Sequence, residues 1–137
     1  MIAITGSLAF DYIMDFDGRF ADHIMPDKIH QINLSFLVDT LEEQKGGNAG
    51  NIAYTLALLK IPGSILSTAG GDFLEYSKFL QENGVDISNI KISPKKQTAK
   101  AFMMTDLADN QISAFYPGAM KENILLSLKG IKTDFVV

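Results

Sequence analysis

The chain has 137 residues, enough for one domain that would bury roughly 70% of the surface its unfolded form exposes. Its 47% hydrophobic and 20% charged content exclude a disordered tail or a fibrous chain. A net charge of −4, a single arginine (Arg19) and no Lys/Arg cluster that tracks a groove exclude nucleic-acid phosphates as the source of affinity.

No cysteine occurs, so neither a disulfide framework nor a Cys-based zinc site can form. The opening "MIAITGSLAF" has no basic segment and no apolar run long enough for a signal peptide or membrane span. The expectation is a cytoplasmic protein with no membrane partner.

The first predicted element is "IAITGS" (Ile2 to Ser7), a short buried strand that stops at a turn at Gly6 and opens a parallel sheet. Next, "FDYIMDF" and "INLSFLVD" alternate as strands do, with Gly18 and Pro26 in the long connection between them. They predict a strand pair. From Asn51 to Leu59 the apolar residues Ile52, Ala53, Leu56 and Leu59 recur at helical spacing, and Pro62 and Gly63 supply the stop.

"SILSTAGG" predicts a second buried strand. "DFLEYSKFLQENG" predicts a helix with Phe73, Leu74, Tyr76 and Leu80 on one face, Asp72 as N-cap and Gly84 as C-terminal cap. Two alternating runs, "TAKAFMMTD" and "QISAFYPG", are separated by "LADN" and predict a β-hairpin. "ENILLSLKG" suits a short helix, and "TDFVV" begins another buried strand. A parallel strand ending there leaves an open apolar edge, which calls for cover by another chain or for a longer domain; the longer domain is the expectation.

Several signals carry no chemistry. Lys91, Lys95, Lys96 and Lys100 form the densest basic patch and read as a solvated loop. Aligning Gly18 of "DFDG" with the glycine of a calcium loop puts Ile13 and Ile24 at positions that need carboxylates. His23 and His30 have no further ligands at metal spacing, and no metal site is expected. The adjacent Met103 and Met104 read as strand packing or adaptability.

"EQKGGNAGNIAYTLALLK" (Glu43 to Lys60) is the informative stretch. It is not a phosphate-binding P-loop, because Gly46 and Gly50 are followed by Asn51 and Ile52 where Lys and a hydroxyl are required. Nor does "GSLAFD" after the first strand carry the dinucleotide fingerprint. Two readings remain. In one, the glycines make a turn and Asn51 caps the helix. In the other, Gly46 and Gly47 let the backbone approach a ligand while Asn48 and Asn51 offer amides that both donate to and accept from hydroxyls.

"GGNAGN" with a helix behind it resembles the first signature of the PfkB/ribokinase family of sugar and nucleoside kinases. Its neighbours stand in family order: "GSLAFD" resembles the first strand leading to a substrate-binding Asp, "TAGGDFLEY" the G-x-D segment, "ENGVD" the G-V-D, and "NQISAFYPGAM" the hairpin strand and P-G-A segment. "GSLAFDYIMDFDGRF" and "GGNAGNIAYTLALL" are most similar to the adenosine-kinase-like members.

The resemblance covers nearly the whole chain. It implies an α/β, ribokinase-like fold with a mostly parallel, incomplete sheet, flanking helices and a small β lid. Residues 1–137 would be the N-terminal part of a single domain, with lid strands roughly within 10–38 and 98–118. The implied activity of the full-length enzyme is ATP- and magnesium-dependent phosphorylation of a sugar or nucleoside hydroxyl, with adenosine or another ribonucleoside first and a free sugar second. A catalytically inactive sugar- or nucleoside-binding fragment is the alternative, and a homodimer through the β lid is a further expectation.

Carried over residue by residue, the resemblance makes Asp11 the acceptor for ribose hydroxyls and Gly46 and Gly47 the points of close backbone approach. Asn48 and Asn51 would be sugar ligands, and Ser7 and Ala9 the floor and wall of the pocket. Phe36, Phe102 and Phe115 are lid aromatics, available either to pack on a base or to fill the lid core. The family's G-A-G-D catalytic segment and N-x-x-E segment are absent, so no catalytic or metal-binding residue is expected in this chain.

Overall fold

A computed structural model describes residues 1–137. Two four-stranded sheets share the chain. The first has the order β5-β4-β1-β8 and is wholly parallel, built from β1 (Ile2–Thr5), β4 (Gly63–Gly70), β5 (Ile90–Ser93) and β8 (Phe135–Val136). The second has the order β3-β2-β6-β7, from β2 (Ala9–Asp15), β3 (Glu42–Gly46), β6 (Ala99–Thr105) and β7 (Gln111–Tyr116). In it β2 lies parallel to β6 at the centre, and β3 and β7 flank them antiparallel. The expected α/β class is present, with a mostly parallel sheet, helices and a small second β-sheet.

Two helices complete the frame, α1 (Asn48–Leu58) and α2 (Leu74–Glu82). Every residue of β4 is buried, as its apolar run requires of a central parallel strand. The core gathers Ile4, Leu8 and Phe10 from the first strands, Ala49 and Ala53 from α1, Ile65 and Ala69 from β4, and Phe73, Tyr76 and Leu80 from α2.

Both helices end in the same way. After α2 the Val85 N–H bonds to the Leu80 carbonyl and the Gly84 N–H to Gln81, with Gly84 at φ +80°. After α1 the Ile61 N–H bonds to Leu56 and the Lys60 N–H to Ala57. These are paired Schellman closures, which place one residue in the left-handed region. At α1 that residue is Lys60, at φ +59°.

Several expectations need correction. No strand forms over residues 32–39. One edge of β2 is taken by β3 and the other by β6, so no ladder position is open. Phe36 serves a side-chain cluster instead, against Phe16, Phe20 and His23 at ring-centre distances of 4.9, 5.2 and 5.6 Å, while Ile32 and Leu34 are exposed. The second sheet therefore draws on 9–15, 42–46, 99–105 and 111–116, and the 32–39 part of the expected 10–38 lid segment is not a strand.

Helix α1 starts at Asn48, three residues before the predicted start, with Gly47 as its N-cap. Asp72 does not cap α2; the position belongs to Phe73, and Asp72 bonds to Thr98 instead. "ENILLSLKG" is not an α-helix. The turn there is 3-10 in geometry and runs from Gly118 to Leu125.

Candidate functional site

The site begins where β1 ends. Gly6, at φ +140°, turns the chain, and Asn123 holds the turn by donating from Nδ2 to the Gly6 carbonyl at 3.0 Å. Asn123 is itself fixed, because its Oδ1 accepts from the Thr68 N–H at 2.8 Å and hydroxyl at 2.6 Å. The first sheet's strand order reverses at β1, and in open α/β sheets ligands settle beside the carboxyl ends of strands at such a reversal. An open cavity of about 500 Å³, lined by Thr5, Gly6, Leu66, Asn123, Ile124, Leu126 and Leu128, lies there.

The turn then meets α1. The Asn48 N–H donates to Ser7 Oγ at 3.0 Å, and the Ala49 N–H to the Ser7 carbonyl at 3.0 Å. Ser7 thus supplies from a distant part of the chain the acceptors that a helix N-terminus lacks. Gly47 sits at φ +88°, and a Cβ there would stand 2.5 Å from the Ser7 carbonyl oxygen and 2.8 Å from the Ala9 nitrogen. The absence of that side chain lets the two turns touch.

Asp11 lies over the neighbouring glycine. A Cβ on Gly46 would come within 2.6 Å of the Asp11 Cγ, so any other residue there would push the carboxylate out of its place. Asp11 is half-buried and accepts no hydrogen bond from any protein donor. Burial without a donor pushes its pKa above the ordinary carboxylate value. Asn48 and Asn51 are exposed, one helical turn apart, and their side-chain amides bond to nothing in the protein.

Ser7, Ala9, Asp11, Gly46, Gly47 and Asn48 are therefore one contiguous group, with Asn51 one turn along α1. Three details differ from the simplest picture of a pocket. Ala9 is 3% exposed and presents almost no surface. The bare Cα atoms of Gly46 and Gly47 are filled by Asp11 and by the Ser7–Ala9 backbone, so both glycines make room for protein. Asn51 is not the cap, since Gly47 occupies that position.

Strand register separates the three aromatics. Gln44, Asp11, Ala101 and Phe115 are successive cross-strand partners and share one face of the second sheet. Phe102 pairs with Tyr12 on the opposite face and stacks on it at 5.0 Å. Phe36 is in neither row. Only Phe115, 53% exposed, shares the Asp11 face.

Two residues that the sequence did not single out organise the site, Asn123 and Tyr76. The Tyr76 hydroxyl donates to the Gly46 carbonyl at 2.9 Å from a position 1% exposed. A buried tyrosine on an otherwise apolar helix face needs a partner for its hydroxyl, and that was the available signal. No group of three or more His, Cys, Asp or Glu stands together in a way that would hold a metal ion.

A model of the pfkB family carbohydrate kinases matches residues 7–132. A nucleoside kinase of Methanothermobacter thermautotrophicus is 35% identical over 119 residues, which are 85% of this chain and 35% of that protein. Among solved structures, the Burkholderia thailandensis nucleoside kinase in complex with inosine superposes with a TM-score of 0.82 at 40% identity, over 98% of this chain and 42% of that one. The same protein in complex with ADP-inosine gives a TM-score of 0.74 at 42% identity, over the same shares of the two chains. The Methanocaldococcus jannaschii nucleoside kinase, described as an archaeal member of the ribokinase family, gives 0.83 at 29% identity, with 98% and 42% covered. The chain spans 35–42% of the length of these proteins.

Proposed function

The chain belongs to the pfkB family of carbohydrate kinases, and from that membership we propose that it forms the acceptor-binding part of a kinase that phosphorylates a hydroxyl of a ribonucleoside, with ATP as donor. The observation that carries the reading is Asp11, a half-buried carboxylate with no protein donor, set over the turn that starts α1. Such a group is satisfied by hydroxyls, and the free amides of Asn48 and Asn51 complement it as donors and acceptors. Ribose presents adjacent hydroxyls of this kind. The relatives named as nucleoside kinases, and the one solved with inosine, make inosine the first probe, with adenosine next and a free sugar third.

In this reading Asp11 and the two asparagines hold the sugar, while the second sheet acts as a lid that excludes water. Phe115 is the aromatic placed to pack on a base. In the transfer an acceptor hydroxyl oxygen bonds to the terminal phosphorus of ATP as the bridging P–O bond breaks, and the hydroxyl proton passes to a base. No G-A-G-D segment occurs in these 137 residues, so the base, the ATP site and any magnesium are assigned to the rest of a complete enzyme. Binding without turnover is expected of the chain alone.

No helix is long and apolar enough to cross a membrane. A cytoplasmic location and a homodimer through the second sheet are parts of the proposal. The dimer is supported by the β7 edge, where Ile112, Phe115 and Tyr116 are exposed.

The test is inosine binding and ATP-dependent phosphorylation by the protein expressed from its native gene, compared with Asp11→Ala. Loss of inosine affinity with ATP affinity retained is the expected result. Equal loss of both affinities, or unchanged inosine affinity, would overturn the reading.

A further inference from the structure

We propose that Tyr76 is a positioning residue of this site, holding the Gly46 carbonyl toward the core so that the Gly47 N–H faces outward as a ligand donor beside Asp11. The inference rests on the substrate-binding reading of Asp11. Its geometry is that of one peptide unit. No cis peptide occurs in the chain, and in a planar trans unit the C=O and N–H point in opposite directions. The Gly46 carbonyl receives the buried Tyr76 hydroxyl at 2.9 Å, so the Gly47 N–H points away from the core.

That N–H has no acceptor in the protein, and Asp11 beside it has no donor. One sugar hydroxyl can satisfy both, donating to the carboxylate while accepting from the N–H. Gly46 is the last ladder partner of β3, opposite Ala9, and the glycine that follows it gives the chain freedom to turn over where the ladder ends, so the Tyr76 hydroxyl adds a second hold at that point.

Tyr76 is built for the task. Its ring is wedged among Phe10, Phe73 and Phe79, at centre distances of 5.9, 5.0 and 6.3 Å. A Cβ on Gly50 would collide with the Tyr76 hydroxyl, so the third glycine of "GGNAG" is the space into which the phenol reaches. Burial, then the charge of Asp11, push the phenol pKa up to about 12, which keeps it protonated as a donor.

Tyr76→Phe keeps the ring and removes only the hydroxyl. In the native-gene protein we expect inosine to bind roughly tenfold more weakly to this variant, the scale of one hydrogen bond, with ATP affinity unchanged. In the wild type the Gly47 amide resonance is expected to shift on inosine binding, and this shift should be lost or reduced in Tyr76→Phe.

Asp11→Ala is the control. If Asp11→Ala loses inosine while Tyr76→Phe binds it normally, the positioning role is overturned and the substrate-site reading stands. If Asp11→Ala binds inosine normally, both fall. A Gly47 amide in the wild type that ignores saturating inosine overturns the inference whether or not the variant folds.

Discussion

Thr98 donates twice to one oxygen of Asp72, from its backbone N–H at 2.8 Å and from its hydroxyl at 2.7 Å. The same hydroxyl accepts from the Gly70 N–H at 3.0 Å, and the Ala119 N–H donates to the Gln97 carbonyl at 2.8 Å. Neither Gly70 nor Gly118 has room for a Cβ beside the Gln97–Thr98 backbone. The end of β4 and the start of β6 are thereby joined, and with them the two sheets. Asp72→Ala leaves the buried Thr98 N–H without its acceptor and is expected to cost roughly 1–3 kcal/mol in urea denaturation. A variant as stable as wild type would show that the joint does not depend on this carboxylate.

Asp106 makes a second tie, 5% exposed at the turn between β6 and β7. It accepts from the N–H groups of Phe20, Ala108 and Asn110 at 2.9, 2.9 and 2.8 Å. Burial pushes its pKa up, but the bonds from Phe20, Asn110 and Ala108 outweigh that and bring it down to about 2. A folded pKa below the unfolded 3.8 means that this stabilisation is whole above that value and fades as pH falls toward 2. Asp106→Asn should be less stable at neutral pH and lose less of what remains on acidification, measured as denaturation midpoints across that window.

Asp11 has the opposite sign. Its pKa is raised by burial, so without ligand the folded chain loses stability as pH climbs from the unfolded value through the folded one. Asp11→Asn is expected to raise the melting temperature of the ligand-free protein at pH 7 even as inosine binding weakens. A lower melting temperature would mean that the carboxylate stabilises the free protein.

Asn51→Ala separates two roles directly. Since Gly47 is the N-cap and the Asn51 amide bonds to nothing, stability should stay within about 0.5 kcal/mol of wild type while inosine affinity falls. The reverse pattern in paired calorimetric and binding measurements would restore a capping role.

Lys60 holds the left-handed position after α1, at φ +59°, where a side chain is disfavoured. Lys60→Gly should stabilise the protein by about 1 kcal/mol, read from denaturant midpoints. No gain would mean that the lysine stem returns the strain through packing.

What the sequence disclosed depended on where the apolar residues lay. β1 and β4 are legible because their apolar runs match their burial, and the β6–β7 hairpin because its two alternating runs flank a short polar turn, although every residue of β7 is exposed. β3 is not, since four of the five residues of "EEQKG" are exposed and it forms only because β2 offers an edge. The 32–39 segment misleads for the converse reason: Phe36 is packed by the rings of Phe16, Phe20 and His23 rather than by a sheet, and Ile32 and Leu34 of the same alternation are exposed. At the site, Asp11 and the glycines could be found from the order of short motifs. Tyr76 could not be tied to Gly46, because they are 30 residues apart and meet only through the packing of α2. Nor could Phe102 and Phe115 be assigned to opposite faces before the register of β2, β6 and β7 was fixed.

The pairing of β2 with β6 also sets an order of events during synthesis. Ala9 and Ala99 are register partners, so β2 leaves the ribosome about 90 residues before the strand that completes it. At ordinary translation rates that is a wait of roughly 5–20 s. Over that interval the other edge of β2 has no ladder partner, although β3, α1 and α2, among which Phe10 packs, are already made, and closing so distant a contact is intrinsically slow. The strand that carries Asp11 is the second to be made, and its edge toward β6 is covered only about 90 residues later, so nascent chains are exposed to misassociation through the element that defines their site.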